Sequence, residues 1–167
     1  MQFSANGLLV LFHVLFASLW FGGAVYQVRI IGGTLMAAGP QASGFLMALA
    51  KRRGIGWYFA LTGALTLLFG ALLYGQEKVH ESAFSGRGLW LTLGALMAVL
   101  AYLHGAAINL PLERRWMRFS NDLKGPPTKE QAQQLQDFEM RLGKNGAASA
   151  AMIGVAMLLM LMSRVLP

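Results

Sequence analysis

Four stretches of the chain, at about 7–28, 55–75, 89–110 and 147–163, run without a single Asp, Glu, Lys or Arg. A helix of about 20 apolar residues covers the roughly 30 Å of hydrocarbon in a bilayer. The pattern therefore predicts an all-α polytopic membrane protein, a four-transmembrane-helix bundle forming one membrane domain over residues 1–167. Its connections at about 29–54 and 111–146 lie on one side, and that at about 76–88 on the other. Met1 begins no basic leader, and the first apolar run is long enough to span, so no cleaved signal peptide is expected.

Composition agrees: 56% of residues are hydrophobic and 13% charged, where a soluble domain carries roughly 25% charged. The formal charge of +7 reads as topology once it is located, because eleven of the fourteen Lys and Arg fall in the first and third connections. Placing the positive side in the cytoplasm puts both termini outside, in a bacterial inner membrane. Arg29, Lys51, Arg52, Arg53, Arg114, Arg115 and Arg118 are then expected at the cytoplasmic interface, facing anionic lipid rather than nucleic acid. Trp57, Trp116 and Tyr26 belong to the same belt, and Trp90 and Tyr74 to the outer one.

Two connections exceed turns. The segment 39–53 is apolar and then basic, which suits an interfacial helix or an extension of the second span. After Gly125-Pro126-Pro127, Thr128 and Gln131 form a capping-box pattern. Ala132, Leu135, Phe138 and Leu142 recur at helical spacing up to Gly143, predicting a short amphipathic helix that stops there.

Chemistry inside a membrane needs polar groups, and these spans hold few. Asn6, His13, Trp20 and Gln27 are spaced by seven, with Ala17 and Ala24 between, a stripe expected to face the bundle interior. His13 and His104 are candidate ligands for haem iron or chlorophyll magnesium, with Trp20 and Gln27 as accompanying cofactor-binding candidates. Counting at 1.5 Å per residue from the outer ends of their helices, the two imidazoles differ in depth by roughly 13 Å, so each is expected to serve its own ligand or a neighbouring helix. A quinone hydrogen-bonded to either is a further option. His80 falls in a solvated loop. Met152, Met157, Met160 and Met162 could hold Cu(I), but thioethers also fill helix packing, the commoner use. Ser18 and Gly22, Gly94 and Ala98, and Ala150 and Gly154 are each four apart, which permits close helix approach within the chain or to another.

The chain has no cysteine, which removes thiolate metal sites and disulfides. Neither is there a carboxylate within any span or a phosphate loop around the Gly22-Gly23 and Gly32-Gly33 pairs. An enzyme here could work only through a bound cofactor.

The run Phe12-His13-Val14-Leu15-Phe16-Ala17-Ser18-Leu19-Trp20-Phe21-Gly22-Gly23 resembles the first helix of bacterial copper-resistance-D-like membrane proteins, in which a histidine precedes Trp-x-Gly. Leu61-Thr62-Gly63, Trp90, Pro111 and Arg141-Leu142-Gly143 before a Met-rich last span resemble the small four-helix members of that group. HemJ-type protoporphyrinogen oxidases are similar in the first helix, and that likeness implies haem binding through His13 alone. Those oxidases carry a lysine in a later helix, and no span here contains one.

Together these features lead to an expected role as a non-catalytic accessory or structural subunit of a larger energy-transducing membrane complex, respiratory or photosynthetic. Lipids and other membrane subunits are its expected partners. The alternatives are a haem b-binding redox protein using His13, with His104 as a further ligand candidate, and a copper-handling protein.

Overall fold

The computed structural model describes residues 4–38, 54–123, 125 and 127–166, and all regular structure among them is helical. Helix α1, Ala5–Tyr26, starts where the Ser4 hydroxyl accepts from the Gly7 amide at 3.1 Å, satisfying one of the amides that a helix start leaves unpaired. It passes through a π-helical segment, Gln27–Gly32, into α2, Gly33–Ala38, with no break between them. Helix α3 is Gly54–Gln76. A 3₁₀ turn at Val79–Ser82 leads to α4, Gly86–His104. A second π-helical segment, Gly105–Asn109, joins α4 to α5, Leu110–Asp122. Helix α6, Lys129–Val165, is a single rod of 37 residues. Among the described residues four helices are thus long and apolar enough to cross a membrane, as in a multi-pass membrane protein.

The third connection differs from the sequence expectation. The capping box at Thr128 and Gln131 forms, with both reciprocal hydrogen bonds present. The helix it opens does not stop at Gly143 but runs into the fourth span. A glycine costs a helix about 1 kcal/mol, and after Gly143 and Gly146 the uncharged stretch 147–163, rich in the helix formers Ala, Leu and Met, continues the rod. Pro111 likewise does not end the helix, although the uncharged stretch stops beside it. It stands in the first turn of α5, directly after the π-helical segment. A proline inside a regular α-helix removes one amide and pushes its ring at the carbonyl four residues back, and a widened π turn is one way a rod absorbs that conflict. The third connection is therefore built as a helical hairpin, α5 against the start of α6. Phe119 and Phe138 meet across it with ring centroids 6.0 Å apart, and Trp116 and Leu135 are buried. The interfacial helix expected at 39–53, with Lys51, Arg52 and Arg53, lies outside the described residues.

The spans pack chiefly as two pairs, α1 with α3 and α4 with α6. A small cluster of Trp20, Ala24, Ala98, Ala101, Ile153 and Ala156 joins them. Gly63 sits at that junction, where a Cβ would stand 2.8 Å from the Tyr102 ring and 3.1 Å from Trp20. Close approach replaces bulk here: buried residues are mostly small, as expected where water gives no drive for helix association. The accessible surface is 11018 Å², against about 8,100 Å² for a soluble globular chain of this mass. Leu, Val and Phe stand exposed on the outer faces of the spans.

Candidate functional site

The first site is built between α1 and α3. Nδ1 of His13 lies 3.0 Å from the carbonyl oxygen of Thr66. A carbonyl only accepts, so Nδ1 carries the proton and Nε2 presents a bare lone pair. The carbonyl is reachable because the residue four positions on is glycine. A Cβ at Gly70 would stand 2.9 Å from Cε1 and 3.1 Å from Nδ1 of the imidazole, inside ordinary contact distance. Thr66 turns its own hydroxyl back to the Thr62 carbonyl, and Thr62 does the same to Tyr58, each at 2.7 Å. These buried hydroxyls thus need no outside partner.

The same device operates in reverse at the other end of the pair. The Tyr58 hydroxyl donates to the Leu19 carbonyl at 2.5 Å, and the residue four positions after Leu19 is Gly23. A Cβ there would stand 2.9 Å from the phenol oxygen. Each helix therefore sends one polar side chain to a carbonyl that a glycine of the other uncovers.

No hydrogen bond reaches Nε2 of His13 among the described residues. On the same two helices, Phe12, Phe16 and Phe69 stack with centroid separations of 5.3 to 6.4 Å. A fixed tautomer, with Nδ1–H given to a carbonyl, is the usual arrangement of an imidazole that binds metal through its other nitrogen. A bare imidazole nitrogen of this kind could serve as a ligand to a haem iron or chlorophyll magnesium.

His104 belongs to the other pair. Its Nδ1 is 2.9 Å from the Ser149 hydroxyl on α6, and Nδ2 of Asn109 donates to the same oxygen at 3.0 Å. Asn109 stands in the π-helical segment, and its Oδ1 is buried with no partner among the described residues. The two histidines thus serve different helix pairs, and their hydrogen bonds bring them to no common ligand.

The stripe on α1 does turn inward: Trp20 and Ala24 are buried and His13 and Gln27 half-buried. Trp20 meets Tyr102 edge-on at 6.3 Å, which makes it part of the junction. Gln27 opens the first π-helical segment, whereas Asn6 is exposed. Trp57 is 67% exposed; Trp90 is half-buried. Trp116 is buried at 2% in the helical hairpin, its Nε1 without a partner among the described residues. Arg29, Arg114, Arg115 and Arg118 are exposed, and His80 sits exposed in the 3₁₀ turn. Sequence reasoning passed over Tyr58, Thr66, Gly70, Asn109 and Ser149. The signal was available for some of them, since Thr66 and Gly70 are four apart and Asn109 is a polar residue within an uncharged span.

The small-residue pairs divide cleanly. A Cβ at Gly94 would stand 2.7 Å from Met160 and 3.0 Å from the Ala156 carbonyl, and one at Gly154 would stand 3.2 Å from Phe21. Both are consumed by packing within the chain. Met160 fills the Gly94 gap and Met152 packs on the core cluster, so these two thioethers serve packing. Ser18 and Gly22 are exposed, and a Cβ at Gly22 would meet nothing within 4 Å. At about 100° per residue they lie on the side of α1 opposite the His13 stripe.

Comparison with protein-family models, curated proteins and solved structures finds no match for this chain.

Proposed function

We propose that the chain is a non-catalytic, multi-pass subunit of a larger bacterial inner-membrane assembly of the energy-transducing kind, docked through the outer face of α1. The reading rests on Ser18 and Gly22. Small residues four apart on a membrane helix let another backbone come close, whereas a lipid-facing surface is served equally well by Leu and Val. The Gly94/Ala98 and Ala150/Gly154 pairs are filled by the chain's own helices, whereas Ser18 and Gly22 stand open. Positive charge at the α2, α5 and early α6 end supports a cytoplasmic location for it, with both termini outside.

The test is isolation of the tagged full chain from its native membrane in mild detergent. Companion polypeptides co-purify with the natural chain, and Gly22→Leu strips them while the variant still inserts. A monodisperse monomer without companions, or a Gly22→Leu form that keeps them, overturns the proposal.

A second reading is favoured by His13. The bare Nε2, on a helix pair that also carries the stacked rings of Phe12, Phe16 and Phe69, suits one b-type haem or (bacterio)chlorophyll, and the likeness of the first helix to HemJ-type proteins points the same way. Such a group would supply electron transfer or excitation; the chain would contribute the ligating nitrogen of His13. A reducible b-type haem or pigment band in the isolated assembly, lost in His13→Phe with the companions retained, supports it. An assembly without any tetrapyrrole spectrum overturns it.

A further inference from the structure

An open groove of about 300 Å³ lies where the second π-helical segment and α5 run beside α6, lined by Ala107, Ile108, Pro111, Leu112, Arg115, Arg141 and Asn145. Its residues fall in two layers. Ala107 and Ile108 end the third uncharged stretch, and Pro111 and Leu112 continue the apolar strip by one turn. Arg115 lies about 7.5 Å beyond residue 110 along its rod, and Arg141 about 9 Å before residue 147 along the other. The two guanidinium stems thus start at nearly one level. That level matches the polar layer, about 5–7.5 Å thick on each side of the hydrocarbon, within which long basic side chains reach back toward the membrane.

Both arginines are exposed, and neither forms an ion pair among the described residues. The ion pairs found there, Lys78 with Glu81 and Arg87 with Glu77, lie at the opposite end of the bundle. Asp137 sits one turn before Arg141 without closing on it. Asn145 donates to the Arg141 carbonyl at 2.9 Å, which ties its side chain to the turn that carries Arg141. Two unengaged guanidinium groups above an apolar strip make a two-part receptor, for a phosphate and for a hydrocarbon chain.

We propose that this groove is a binding site for an anionic diacyl phospholipid of the Arg-rich leaflet. Arg115 and Arg141 hold the headgroup phosphate by charge-assisted hydrogen bonds, and one acyl chain lies along Ile108, Ala107 and Pro111. Guanidinium is suited to phosphate because its planar donors can engage two oxygens at once. A basic recess between membrane helices at the headgroup level is the setting in which lipid headgroups are selected. The site uses a face of the chain different from Ser18 and Gly22 and stands independently of the subunit reading.

The experiment is native mass spectrometry of the purified full chain, released from nanodiscs of phosphatidylcholine with equal phosphatidylglycerol. The natural chain is expected to retain one phosphatidylglycerol in preference to phosphatidylcholine. In Arg115→Gln with Arg141→Gln the preference falls roughly thirtyfold, each arginine supplying about a fivefold share. Both side chains are exposed, so the variant folds. Arg118→Gln, a cation outside the groove, keeps the preference. A preference that survives the double substitution, or falls equally in Arg118→Gln, overturns the assignment. In a second arm, excess inorganic phosphate leaves the retained lipid in place, since it lacks the acyl chain. Displacement by phosphate alone, or retention of an acidic peptide instead of lipid, refutes a lipid site.

Discussion

The imidazole of His13 and the missing side chain of Gly70 form a coupled pair whose energetics are open to a sharp test. In Gly70→Ala the new methyl would stand 2.9 Å from Cε1 of His13, so the ring must withdraw by about 0.6 Å to reach ordinary carbon contact. Its Nδ1 is now 3.0 Å from the Thr66 carbonyl, and a withdrawal of that size takes the pair beyond hydrogen-bonding distance. A side-chain hydrogen bond between membrane helices is worth about 0.6 kcal/mol on average and about 1.7 at most. Overpacking adds about 1–3 kcal/mol, and the better helix propensity of alanine returns up to about 1 kcal/mol. The net expectation is a loss of about 1–3 kcal/mol. The assay is reversible unfolding in bicelles, run as a double-mutant cycle with His13→Ala. With the ring gone the methyl has space, so Gly70→Ala should be neutral or mildly stabilising in that background. Equal costs in the two backgrounds would refute the packing argument and, with it, the reason Thr66 offers its carbonyl to histidine.

Three further expectations follow the same logic. Gly94→Leu should separate α4 from α6, because its side chain meets Met160 and the Ala156 backbone; a stability loss above about 3 kcal/mol, measured by the same unfolding method, is expected, and a neutral result would contradict the packing. Ser149→Ala removes the oxygen shared by His104 and Asn109. It should cost about 1–3 kcal/mol, and a loss no larger than that of Ser18→Ala on the open face would show that the node is idle. The absence of cysteine makes orientation directly measurable. A membrane-impermeant maleimide should label Phe84→Cys in intact cells, and Arg118→Cys only after permeabilisation; the reverse pattern would invert the topology.

The spans were legible because absence of charge over some twenty residues has few other causes. The start of α6 was legible as well, since Thr128 and Gln131 are a local device. What failed was termination. Gly143 and Pro111 are breakers by intrinsic preference, but each is overruled by what surrounds it, a continuing apolar span in one case and a π-helical turn in the other. Long-range partners were also hidden. His13 and Thr66 are 53 positions apart, and His104 and Ser149 are 45 apart, so no local pattern joins them. The inward stripe of α1 could be read from its seven-residue spacing, whereas the identity of the helix it would face could not.

The reciprocal glycine windows between α1 and α3 carry a consequence for biogenesis. A slip of one helical turn, about 5.4 Å, would bury both receiving carbonyls beneath side chains and strand an imidazole and a phenol in oil. Only one register therefore closes both ends, and nothing in that latch draws on α4 or α6. The amino-terminal half can snap together while the ribosome is still making the rest, leaving the later helices a finished edge on which to assemble.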